Sequence, residues 1–170
     1  MVDSDRALDG ARAEAQQLAA DSFWATAYAG AVPRLTVLVR NLTPKQRDYF
    51  LVDFQKNNKS TGRMIVNRDT GVVDVATGIE NEGEELPDFI VPSDVRSRIK
   101  PEVILDDGRR IPTPAGTPTI VLLWQHCLES QSPLRPFYWI QWTGTGLFLR
   151  VDGAFFERLT PTDGMPHRLA

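Results

Sequence analysis

The sequence predicts an α+β fold, and two observations carry that expectation. An alanine-rich segment with helical periodicity opens the chain. After it, one strand–turn–strand–turn–strand pattern occurs twice. The first copy runs from Asp48 to Phe54, then Arg63 to Asn67, then, after Asp69-Thr70-Gly71, Val72 to Val75. The second runs from Phe137 to Trp142, then Leu147 to Val151, then, after Asp152-Gly153, Ala154 to Phe156. The expectation is two related antiparallel β-meanders packed with a long N-terminal helix, because hairpin turns join neighbouring strands and one sheet face must be covered.

Residues 4 to about 20 form the predicted helix. Leu8, Ala11, Ala15, Leu18 and Ala19 recur at helical spacing, and Ser4 or Asp5 is placed to cap its start. Alanine is the best helix former, so propensity agrees with pattern. The helical reading extends through Phe23, Trp24, Ala27 and Tyr28 to Gly30, with Pro33 as the stop. Leu35 to Val39 reads as a short strand, and Asn41 to Lys45 as a loop ending near Pro44. The first meander follows, with Asn57-Asn58 and Asp69-Thr70-Gly71 as turns that tolerate positive φ.

Residues 80 to 88 hold four glutamates and an aspartate and read as a solvated acidic loop. Pro92 and Ser93 open a short helix reaching Lys100, with a basic end that suits the helix dipole. The four prolines of the stretch from Pro101 to Pro118 exclude a central strand there and make it a connector or surface arm. Thr119 to Gln125 is a buried strand by its continuous apolar run. The division expected is therefore residues 1–79 for the helix and first meander, 80–118 for the connector, and 119–170 for the second meander and tail, all within one compact domain.

The first half resembles the PepSY-like, cystatin-like module of bacterial proteins and peptidase propeptides. The helix Ala7 to Ala20, the aromatic strand Tyr49 to Phe54, the strand Arg63 to Asn67 and the turn Asp69-Thr70-Gly71 carry the resemblance. The second half looks like a shortened copy without a long helix. The resemblance implies a non-catalytic interaction module, peptidase-inhibitor-like in role, with no catalytic residues to carry over.

Composition narrows the function classes. The 170 residues carry 19 basic and 22 acidic side chains, a net charge of -3, which gives no electrostatic footprint for nucleic acid. No apolar run approaches a membrane span. The polar, acidic start from Met1 to Arg6 is unlike a secretory signal, and with a single cysteine, Cys127, the expected location is the cytoplasm. Two histidines and one cysteine lack the ligand spacing of a zinc site, and the acidic loop lacks EF-hand spacing, so neither metal nor cofactor is expected.

The nucleophile candidate is Cys127, but its neighbour His126 points to the opposite face in a strand, and the other histidine, His167, lies in the tail. A cysteine-dependent hydrolase is the alternative that this pair keeps open. The aromatic residues between positions 137 and 156 point elsewhere. Alternation puts Phe137 and Trp139 on one strand face and Tyr138, Ile140 and Trp142 on the other. With both faces apolar, one needs a cover, which makes Tyr138, Trp139, Trp142, Phe148 and Phe156 the candidate binding surface, for a protein partner, for a second copy or for an apolar small molecule. Residues 1–31 are the other candidate cover for that sheet.

Overall fold

The computed structural model describes residues 1–43, 45–130 and 132–162. His167, the other candidate base, lies outside these residues. The fold is mixed α+β. The chain divides into two compact units, residues 1–39 with 47–89, and residues 40–46 with 90–170. Among the described residues no helix is long and apolar enough to cross a membrane.

The first unit begins with α1 (Ser4–Leu18), whose cap is neither Ser4 nor Asp5 but Asp3, accepting from the Arg6 amide at 3.0 Å. Ala7, Ala11 and Ala15 form its buried stripe. The helix is 15 residues long and does not continue to Gly30. Asp21 breaks it: its carboxylate accepts from the Phe23 amide at 2.8 Å, a local bond that competes with helix. A separate turn of helix follows, α2 (Ala25–Tyr28).

Four antiparallel strands come next in chain order: β1 (Val32–Asn41), β2 (Tyr49–Lys56), β3 (Lys59–Asn67) and β4 (Val73–Gly78). β1 is twice the expected length and takes in Pro33 and Asn41, with an irregularity in its register at Pro33/Leu35 where the ring's missing N–H is tolerated. Asn57 and Asn58, both at positive φ (52° and 62°), make the β2–β3 turn. Asn67 builds the next one, its side-chain oxygen accepting from the Asp69 and Thr70 amides.

Helices α1 and α2 lie on this sheet, on the face of Phe50, Val52, Phe54, Met64 and Val66. Residues 1–31 therefore cover the first set of strands and not, as the aromatic excess suggested, the second. The reason is steric as much as apolar. Gly62 and Gly78 are cross-strand partners, and a Cβ on them would meet the Tyr28 ring at 2.6 Å and Ala27 Cβ at 2.3 Å. The bare backbone there is the seat of α2. Tyr28 Oη then donates to the Thr77 carbonyl at 2.6 Å, and Thr61 Oγ1 donates to the Ala27 carbonyl at 2.8 Å.

The opposite face of β2 and β3 is also buried, and it carries charge. Asp53 Oδ1 accepts from Ser60 Oγ at 2.5 Å and from Arg63 Nε at 2.8 Å. Arg63 also donates to the Pro87 carbonyl and lies over the Phe89 ring, 5.4 Å from its centroid. The acidic loop, residues 80–88, is exposed at every position but Leu86, which is half-buried. Leu86 ties the loop down by donating its amide to the Ser60 carbonyl, and Phe89, just beyond the loop, is buried.

The second unit opens with a single 3-10 turn at Pro92–Asp94 running into α3 (Val95–Arg98). The proline-rich stretch is not a plain connector. It holds a hairpin, β5 (Glu102–Ile104) with β6 (Arg110–Pro112), as a separate two-stranded sheet, which keeps its prolines out of any central strand. Then come β7 (Thr119–Trp124), β8 (Phe137–Trp142), β9 (Thr145–Arg150) and β10 (Phe155–Phe156), ordered β10-β9-β8-β7 and antiparallel throughout. Arg40 and Asn41, the last two residues of β1, pair in parallel with Leu123 and Trp124. The edge of β10 is closed by a parallel bridge from Leu105 and by the Asp106 amide donating to the Phe155 carbonyl.

Candidate functional site

The aromatic set of the second unit is packed, not displayed. Tyr138, Trp142, Phe148 and Phe156 are buried, and Trp139 alone of the five is half-buried. Phe137 meets Phe148 and Phe156 edge to face, with centroids 6.3 and 5.9 Å apart. Trp139 stacks on Phe148 at 6.4 Å. Tyr138 Oη donates to the Ile90 carbonyl at 2.7 Å, and burial pushes its phenol well above the usual tyrosine range. Arg150 closes the cluster over Phe156, 5.3 Å from the centroid, while its guanidinium holds Asp152 and the Glu129 carbonyl. Coverage by the chain itself accounts for these side chains, and Phe148 offers no open surface.

Cys127 sits in the same apolar cluster with Leu123, Phe137, Phe148 and Phe156. Burial pushes its thiol up to about 12, opposite to what a nucleophile needs. The thiol donates to the Ser130 carbonyl at 3.9 Å. The His126 ring is turned to Thr162, with Nδ1 2.6 Å from Oγ1, and does not pair with the thiol. Among the described residues no group of three His, Cys, Asp or Glu side chains is placed to hold a metal ion.

What the first unit leaves open is the outer side of β4. That strand ends the order β1-β2-β3-β4 and, among the described residues, pairs with β3 alone. Val72, just before it, is 62% exposed and Val75 within it 40% exposed. Asp74 is skipped in the register with β3, Val66 facing Val73 and Ile65 facing Val75, and its carboxylate is tied back to Asn67 Nδ2 at 3.1 Å. This bulge confines regular pairing to Val75–Gly78. Edge strands are often blunted in this way, yet no lysine or proline guards these four residues.

Sequence reasoning placed a strand here but did not single out its edge. The legible signal was Val72, Val73 and Val75 around one aspartate, at the end of a meander. No protein-family model, curated protein or solved structure matches the chain.

Proposed function

We propose that this chain is a non-catalytic protein-interaction module that takes an extended segment of a partner protein onto the free side of β4. The observation that carries the reading is a terminal strand with an open outer side and exposed valines at positions 72 and 75. Main-chain hydrogen bonds to such an edge give affinity, and alternate side chains give selectivity. The PepSY-like, cystatin-like reading belongs with it. It is supported by a helix lying across strands that pair in chain order, and the partner class that the resemblance implies is a peptidase. Relatedness of the two meanders is part of the same proposal. It is supported by β2-β3-β4 and β8-β9-β10 each pairing antiparallel in succession.

The test uses proline. Successive amides of a strand point to opposite sides, so of Val75 and Ala76 one N–H faces β3 and the other faces outward. Peptides selected from a random display library on the intact protein are the probe. One of Val75→Pro and Ala76→Pro should unfold or weaken the unit, while the other stays folded and no longer binds the selected peptides. If the folded variant binds them as the parent does, the edge is not the site.

A further inference from the structure

The free side of β4 belongs to a stretch of one charge sign. From Asp69 to Phe89 the sequence holds seven acidic side chains and no lysine or arginine. The first unit as a whole, residues 1–39 with 47–89, carries 14 acidic side chains against eight basic ones. Six of those eight already sit beside a carboxylate of the same unit: Arg12, Arg34, Arg47, Lys59, Arg63 and Arg68. Asp74 and Glu80, by contrast, have no cation at ion-pair distance among the described residues.

These two carboxylates bracket Val75–Gly78, the four residues of β4 in regular pairing. Asp74 reaches Asn67 Nδ2 on the sheet face opposite the helices, the face that Val75 shares with Ile65. Glu80 is exposed two residues beyond the strand. A strand added here, in either direction, therefore has one carboxylate near each of its ends. Opposite charges on neighbouring strands attract, and like charges repel.

A second copy of this chain is the less fitting occupant. Pairing Val75–Gly78 antiparallel with the same residues about a two-fold axis sets Val75 opposite Gly78. It continues to Asp74 opposite Ile79, one position from Glu80 of the other copy. The symmetry makes that repulsion occur twice.

On the premise that β4 takes an extended segment, as proposed above, we infer that the segment is basic. It carries an apolar residue beside Val75 and a lysine or arginine near each end. The acidic excess of the unit adds a longer-range attraction that steers such a segment in and weakens as salt screens it.

The experiment takes the peptides selected on the intact protein, synthesises them singly and titrates each at about 50 mM and about 500 mM salt. Whichever of Val75→Pro and Ala76→Pro stays folded identifies the peptides that bind at the edge. Those peptides should carry net positive charge and bind about tenfold more weakly at the higher salt. Changing their basic residues to glutamine should weaken low-salt binding about threefold to tenfold. Asp74→Asn with Glu80→Gln should do the same while the unfolding midpoint holds, and the two changes together should cost less than their sum. Edge-dependent peptides that are neutral or acidic, or that bind the doubly substituted protein as tightly as the parent, overturn the inference and leave the edge reading standing. If no peptide depends on the edge, both fall together. A dimer of the intact chain that the folded proline variant abolishes would assign the edge to a second copy and overturn the inference as well.

Discussion

Cys127 shows how a side chain's chemistry follows from what surrounds it. The thiol is buried among Leu123, Phe137, Phe148 and Phe156, and losing its proton there would strand a charge in an apolar cluster. With its pKa raised to about 12, only about one thiol in 10⁴ is ionised at pH 8. Alkylation of the native protein at that pH should run orders of magnitude slower than for a free thiol and accelerate on adding denaturant. A native rate equal to or above that of a free thiol would restore the hydrolase reading. The same shift has a sign for stability. The folded pKa lies above the unfolded value of about 8.5, so the native state holds the proton more tightly. Its contribution is intact below about pH 8.5 and is lost as pH rises toward 12. The urea midpoint should therefore fall between about pH 8.5 and pH 10, before the tyrosines of the unfolded chain ionise, and Cys127→Ala should flatten that fall.

At the scale of elements, glycines decide how closely the first unit's layers approach. Gly10, in the middle of α1, is a poor choice by propensity, about 1 kcal/mol worse than alanine. A Cβ there would lie 2.1 Å from the Gly71 carbonyl oxygen, so the glycine lets the helix rest on the β3–β4 turn. Gly62 and Gly78 do the same for α2. Gly78→Val should thus lower stability by about 1–3 kcal/mol through overpacking against Ala27, although valine is the better strand former. Gly10→Ala should also destabilise, against its helix propensity. Urea unfolding of the two variants checks both, and an unchanged or raised midpoint in either would mean that the close approach is not needed there.

For the molecule as a whole, the helical start is the lid of the first unit's core. Ala7, Ala11, Ala15, Ala27 and Tyr28 pack with Phe50, Val52, Phe54, Met64 and Val66 in one cluster. Deleting residues 1–31 should expose that sheet face, and exposed apolar area of this kind drives association. The truncated chain should sediment as aggregates and bind a hydrophobic dye, where the intact chain does not. A monomeric, dye-negative truncation would show that the sheet face is covered without the helices.

The α+β class was legible because two periodicities are local: alanines three and four apart in α1, and alternating or continuous apolar runs in β2, β3, β7, β8 and β9. The Asn57-Asn58 turn was legible for the same reason, since its conformation is a property of two residues. Asp21 was visible too, but whether its carboxylate would turn inward on the Phe23 amide or leave the helix intact depended on the seat that Gly62 and Gly78 offer to α2, far along the chain. Tertiary packing alone decided three further matters. It set residues 1–31 on the first sheet, where bare backbone admits them. It buried Tyr138, Trp142, Phe148 and Phe156, which alternation had marked as apolar without saying what would cover them. It also brought Thr117 and Thr119 beside Gln141 at one open concavity of the surface. Periodicity reports which way a side chain faces along its own strand, whereas its neighbours come from strand order and register, which long-range contacts fix.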